Sequence, residues 1–136
     1  MKEILVIKED TKNKIANSED LFKKIKKIDI DYSQENFLLF CLTTDNKLID
    51  CEVIFKGGLN ACLICPKTLF RKALLNNADK VILAHNHPSN NLNPSYEDLD
   101  IYRKLKEAGG ILDLNLIDFI IFNKKEFYSC DKEVRN

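Results

Sequence analysis

The sequence predicts an α/β fold: a mixed sheet sandwiched by helices, three layers in all. Three observations lead there. Strand-like apolar runs alternate along the chain with segments of helical periodicity. The 136 residues match the size of one domain and suffice to bury most of its apolar surface in a core. Apolar residues make up 45% and charged residues 31%, the usual balance of a globular chain. We read residues 1–136 as one domain with a core at about 18–130, preceded by an arm of residues 1–17.

The elements follow in order. Ile4 to Ile7 is a short apolar run, either a strand or a frayed arm. Ser18 is placed to cap a helix reaching about Ile28, and Glu19 and Asp20 suit the positive end of its dipole. Leu21, Phe22, Ile25 and Ile28 form the apolar face of this helix, and the lysines of 23–27 its wet face. Residues 37–43 read as a hydrophobic strand, Asp45-Asn46-Lys47 as a turn, and 48–55 as the returning strand of a hairpin. Gly57-Gly58 breaks that strand. A short strand is expected at 60–65. Pro66 then suits the first position of a helix through about Asn76, with Leu69, Phe70, Ala73 and Leu74 on its apolar face. Residues 80–84 are a buried strand. The helix from Ser95 to about Ala108 turns Leu99, Tyr102, Leu105 and Ala108 inward, and Gly109-Gly110 ends it. A late strand at 116–122 pairs with 126–130 across an Asn123-Lys124-Lys125 turn.

Charge and cysteine usage narrow the function. Lys plus Arg and Asp plus Glu are each 21, so the net charge is zero, which argues against a broad electrostatic surface for nucleic acid. Five cysteines, an odd number, and an amino-terminal apolar run of only four residues argue against a disulfide framework and a secretory leader. No stretch approaches the ~18 apolar residues of a membrane span. The expected compartment is the cytoplasm. Cys62-x-x-Cys65 invites a redox or zinc pair, or half of a zinc deaminase signature. The proline follows the second cysteine where that signature has it before the first, and a strand would point the two thiols to opposite faces. We read both as small core residues.

The chemistry concentrates in one run, Ala84-His85-Asn86-His87-Pro88-Ser89-Asn90, continuing to Pro94-Ser95-Tyr96-Glu97-Asp98. Its two histidines are the only ones in the chain. At i and i+2 of an extended strand they share a face. With a carboxylate a short loop away they can supply three ligands to one zinc ion, which leaves a fourth position for water, as catalytic zinc requires. Ser95-x-x-Asp98 also has the form of a capping box for the helix that follows. The capping and ligand readings are compatible, because a first-turn Asp has a fixed direction. The histidines fall at the carboxyl end of a strand, where open α/β sheets place their sites.

HNHPS followed by PSxxD resembles the JAB/MPN metalloprotease (JAMM) motif in the variant found in RadC-type proteins. The resemblance extends through 35–40, 44–49, 57–60, 81–84 and 116–118 in order, about residues 18 to 130. This chain departs from the pattern at Asn90, where the family has Gly, and at Phe119, where it often has His. Asn tolerates a left-handed backbone, so the turn at 90 is expected to survive. About 17 residues stand before the match, so the helix-hairpin-helix region usual in RadC proteins is not expected here, nor the DNA-binding role that would come with it.

The resemblance implies a cytidine-deaminase-like α/β/α sandwich and one zinc per chain held by His85, His87 and Asp98. A zinc-activated water would then attack a carbonyl carbon. In JAMM enzymes the general base is a glutamate on an early strand. Glu35 opens the strand at 37–43 and is preferred over Glu52, which sits in mid-strand. Ser95 matches the family serine that stabilises the oxyanion. The leading reading is a metallopeptidase cleaving an amide or isopeptide bond in a peptide or protein. The alternatives are a RadC-like DNA repair or recombination accessory protein and a metal-dependent nuclease, for which Lys80 is the nearest basic residue in sequence.

Overall fold

A computed structural model describes residues 14–57 and 64–131. In chain order these form helix α1 (Ser18–Ile25), strands β1 (Asn36–Leu42) and β2 (Leu48–Lys56), and helix α2 (Pro66–Leu75). Strand β3 (Lys80–Asn86), helix α3 (Tyr96–Ile111), and strands β4 (Asn115–Phe122) and β5 (Phe127–Ser129) complete the set. The run at 4–7, most of the strand expected at 60–65, and Cys62 lie outside the described residues. The five strands make one mixed sheet in the order β2-β1-β3-β4-β5. Strands β3 and β4 are parallel and joined through α3; the other neighbours are antiparallel.

Strand alternation divides the core in two. Phe37, Leu39 and Cys41 of β1, Val81 and Leu83 of β3, and Phe119 and Ile121 of β4 face one side. There they pack against Leu69, Phe70 and Ala73 of α2 and Ile101, Tyr102 and Leu105 of α3. Leu38, Phe40, Leu42, Ile82, Ala84, Ile120 and Phe122 face the other side, against Leu21, Phe22 and Ile25 of α1. Helices thus cover both faces, the three-layer α/β arrangement that the alternating pattern predicts. Every residue of β1 is buried, as expected of a strand covered on both faces. Among the described residues no helix is long and apolar enough to cross a membrane.

Helix ends account for the main differences from expectation. Helix α1 is capped by Asn17, whose side chain accepts from Asp20 N–H, so Ser18 is its first residue and not its cap. It ends at Ile25, three residues short of Ile28. Helix α2 begins at Pro66 and buries Leu69, Phe70 and Ala73, but Leu74 is exposed. Cys65 is also exposed, at the helix N-cap, and is not a core residue.

Gly109-Gly110 does not end α3, which continues to Ile111. Leu114 N–H bonds the Gly109 carbonyl and Asp113 N–H bonds the Gly110 carbonyl. Asp113 takes the left-handed conformation with φ 55°, which completes a Schellman motif without glycine. Helix α2 ends the same way, with Asn77 at φ 54° and Ala78 N–H on the Ala73 carbonyl. Gly109 is needed for space. A Cβ there would run into the Leu114 carbonyl oxygen and lie 3.3 Å from the Phe70 ring.

The two adjacent glycines should therefore respond in opposite ways to substitution. Gly109→Ala is expected to destabilise the fold by about 2 kcal/mol through overpacking. Gly110→Ala meets nothing within 4 Å and should stabilise it by about 0.5–1 kcal/mol through helix propensity. Urea unfolding of the two variants checks this; equal effects would contradict the packing argument.

Candidate metal centre

The sheet delivers the histidines and α3 delivers the carboxylate. His85 follows Val81 and Leu83 on the α3 side of β3 and is fully buried. His87 lies two residues on, and the rings sit edge to face with centroids 4.8 Å apart. Ser95 is the N-cap of α3. Its Oγ accepts the Asp98 N–H at 3.0 Å, and its own N–H donates to Asp98 Oδ2 at 2.8 Å. This capping box fixes the direction of the Asp98 side chain. Asp98 Oδ1 then lies 3.2 Å from His85 Nε2, and Oδ2 lies 3.0 Å from His87 Nε2. Ligands held tetrahedrally at ~2.0–2.1 Å from one zinc ion are about 3.3 Å apart, so each of these two separations is of the size that donors sharing an ion show.

His85 provides a second test of fit. Its ring is stacked on Phe37 at 4.5 Å with planes 2° apart, and Phe119 lies against it at 5.1 Å. Neither ring nitrogen makes a hydrogen bond among the described residues. A buried polar atom left in that state is costly, and metal coordination removes the deficit at Nε2. In His87, Nδ1 is 2.7 Å from the Asn91 carbonyl oxygen. Donation from Nδ1 to that carbonyl orients the ring, as is usual for a metal-binding histidine; Nε2 faces Asp98 Oδ2 and donates to it when the ring carries both protons.

Glu35, which immediately precedes β1, places Oε2 3.5 Å from His85 Nδ1. Donor atoms of Glu35, His85 and His87 all lie within 4.8 Å of one another. Two carboxylates therefore flank the histidines. Asp98 contacts Nε2 of both at the shorter distances, while Glu35 stands off on the Nδ1 side of His85 with a side chain 13% exposed. Both carboxylates are thus placed beside the histidines, with Asp98 the nearer of the two. Glu52, the other candidate base, is instead paired with Lys72 of α2 at 2.9 Å and is not among the residues gathered here.

The electrostatics couple His87 to Asp98. Hydrogen bonding to Asp98 raises the His87 pKa above its ordinary value against the effect of burial, and the Asn91 carbonyl assists. Burial pushes the Asp98 carboxyl upward. The His87 hydrogen bond, the charge of His85 and the Ser95 N–H together outweigh it and hold the carboxyl below the usual range.

Asn90 has φ 65°, the left-handed backbone expected where a glycine would otherwise stand. Phe119 fills the second departure with an aromatic wall between His85 and Tyr102, whose ring it stacks on at 5.7 Å. Sequence reasoning passed over Asn36 and Asn86, both buried beside the site. The available signal was a polar residue set between the two histidines of the motif.

A family model described as RadC-like JAB domain matches residues 15–135. A UPF0758 protein of Clostridium perfringens is 37% identical over 127 residues, covering 93% of this chain and 56% of that protein. One from Methanosarcina barkeri is 32% identical over 125 residues, 92% of this chain and 55% of that protein. One from Geobacillus thermodenitrificans is 39% identical over 101 residues, 74% and 45% respectively. The chain thus spans about half the length of the curated relatives it matches. With that family model matched along nearly the whole described chain, the protein belongs to the RadC-like JAB domain family.

Proposed function

We propose that the protein is a zinc-dependent metallohydrolase of the peptidase or isopeptidase kind, with His85, His87 and Asp98 as ligands. The observation that carries this reading is His85: fully buried, without a hydrogen bond at either nitrogen, and 3.2 Å from Asp98 Oδ1. A zinc ion held there would supply a Lewis acid and lower the pKa of a water toward ~7. The chain's own residues do the rest. Glu35 would accept the proton of the attacking water, a role supported by its donor atom lying within 4.8 Å of those of His85 and His87. Ser95 Oγ accepts the Asp98 N–H, a bond that uses a lone pair and leaves the hydroxyl proton for the oxyanion that would develop on the substrate carbonyl. Phe37 and Phe119 exclude water from the inner side of the site, which strengthens these interactions.

The substrate class is an amide or isopeptide bond in a peptide or protein. Lys80 opens β3, five residues before His85, and donates to Asn46 Oδ1. That places it ~17 Å along an extended strand from the centre, so no lysine of β3 stands ready for a phosphate. Among the described residues no disulfide joins Cys41, Cys51, Cys65 or Cys130, which supports action in a reducing compartment such as the cytoplasm.

Untagged protein is expected to carry about one zinc per chain, as one three-ligand site requires, and His85→Ala should lose it. Glu35→Gln should keep the metal but lower amide hydrolysis by about 10²–10⁴-fold, the range of general-base catalysis. A wild-type protein that neither contains nor takes up zinc would overturn the proposal.

The pH dependence follows from the coupled pair. Zinc must displace the His87 proton. Because that pKa is raised above 6.5, affinity should begin to fall at a pH above 6.5 as the solution is acidified. The metal-free protein behaves differently. The His87 contribution to stability is full below pH 6.5 and lost as pH rises through its raised value. The Asp98 contribution is present above 3.8 and lost as pH falls through its lowered value. Thermal melts of the metal-free protein should therefore show the pair's greatest contribution between pH 3.8 and 6.5.

A further inference from the structure

We propose that Asn86, the residue between the two histidines, is the positioning residue for Glu35. This rests on the reading of Glu35 as the general base. Glu35 lies outside any strand, so regular pairing does not fix it. Backbone pairing between β1 and β3 ends at Phe37 and His85. Beyond that point the Asn86 side chain takes the place of the ladder. Its Oδ1 accepts the Asn36 N–H at 2.8 Å, and its Nδ2 donates to the Gln34 carbonyl at 2.8 Å. These are groups on the two residues that flank Glu35. The Glu35 carbonyl itself is held by Gly57 N–H at 3.0 Å.

Strand alternation explains why Asn86 can do this without crowding the metal. His85 and His87 project toward α3, while Asn86 projects with Ile82 and Ala84 toward the α1 side. Asn36 is on that side too, and its Nδ2 donates to Asn86 Oδ1 at 3.2 Å and to the carbonyls of Asp31 and Gln34. Both amides are buried, so the clamp is shielded from competition by water. With Asn36 and Asn86 locked on one face, Glu35 is left on the other, where its carboxylate meets His85. Three consecutive residues thus supply two proposed ligands and the hold on the proposed base.

The test uses the full chain, labelled with ¹⁵N at backbone and histidine rings. The presence of only two histidines makes the ring spectrum simple to assign. Glu35→Gln reports how the His85 ring signal depends on its neighbour 3.5 Å away. Asn86→Ala is expected to move the His85 signal in the same direction, to leave His87 in place, and to have no further effect in the Glu35→Gln background. The Asn36 amide should exchange about tenfold faster, as loss of one buried hydrogen bond implies. Leu105→Ala, a core variant on α3, controls for lowered stability and should leave the His85 signal unmoved.

An Asn86→Ala effect on His85 that persists in full in the Glu35→Gln background would overturn the inference. So would unchanged Asn36 exchange. Both readouts work without metal, so absence of zinc binding would sink the hydrolase reading while this experiment still decides whether Asn86 holds Glu35.

Discussion

A fully buried imidazole lodged between two phenylalanines is the constraint on which the rest of the site depends. His85 sits directly opposite Phe37 across the β1–β3 pairing, and Phe119 approaches from β4. The ring is closed off from bulk solvent. Partners have to come from the protein or from an ion that the protein holds, and any partner must be aimed accurately. The same aromatic contacts carry the upper core, because Phe119 also stacks on Tyr102 of α3. Site and core are therefore one packed unit, and the low polarity around His85 strengthens each electrostatic contact made there.

Asp98 shows how helix formation and site formation are coupled. One carboxylate terminates the orphan N–H of Ser95 and faces two imidazoles. The capping box that starts α3 needs an acceptor at the third helical position, and the metal reading needs a carboxylate at the same point. The Gly109 contact with Leu114 and Phe70 then fixes the far end of α3 against the sheet and α2. A helix docked at both ends presents its first turn with little freedom, which suits a residue that must meet two rings at about 3 Å.

Much of this was legible in the sequence because the signals were local. The i, i+2 histidines, the Ser95-x-x-Asp98 spacing and the strand-to-helix junction are each written in a few adjacent residues. The alternation of apolar runs gave the sheet and its two covered faces for the same reason. The errors arose where several residues could serve one role. Asn17 outcompeted Ser18 as the cap of α1 because its side chain reaches Asp20 N–H. Asp113 took the left-handed position that two glycines seemed to claim. That Glu35 stands beside His85 while Glu52 pairs with Lys72 rests on the pairing of β1 with β3 and the reach of Lys72, long-range facts that no local pattern encodes. The Asn36–Asn86 clamp was hidden similarly, since it joins residues 50 positions apart.

The opposed faces of His85-Asn86-His87 also bear on how the chain tolerates insertion and deletion. A strand has a period of two, so slipping β3 by one residue exchanges its faces completely. Both imidazoles would then point into the α1 layer and the amide of Asn86 into the α3 layer, parting the histidines from Asp98 and Asn86 from Asn36 together. Changes in length must therefore be absorbed beyond the strand, in the exposed loop of Pro88, Ser89 and Asn90. There the backbone already turns through a left-handed residue, and Asn123 donates to the Asn90 carbonyl at 3.1 Å. The frame of β3 behaves like a reading frame, and the loop after His87 is where it can be reset.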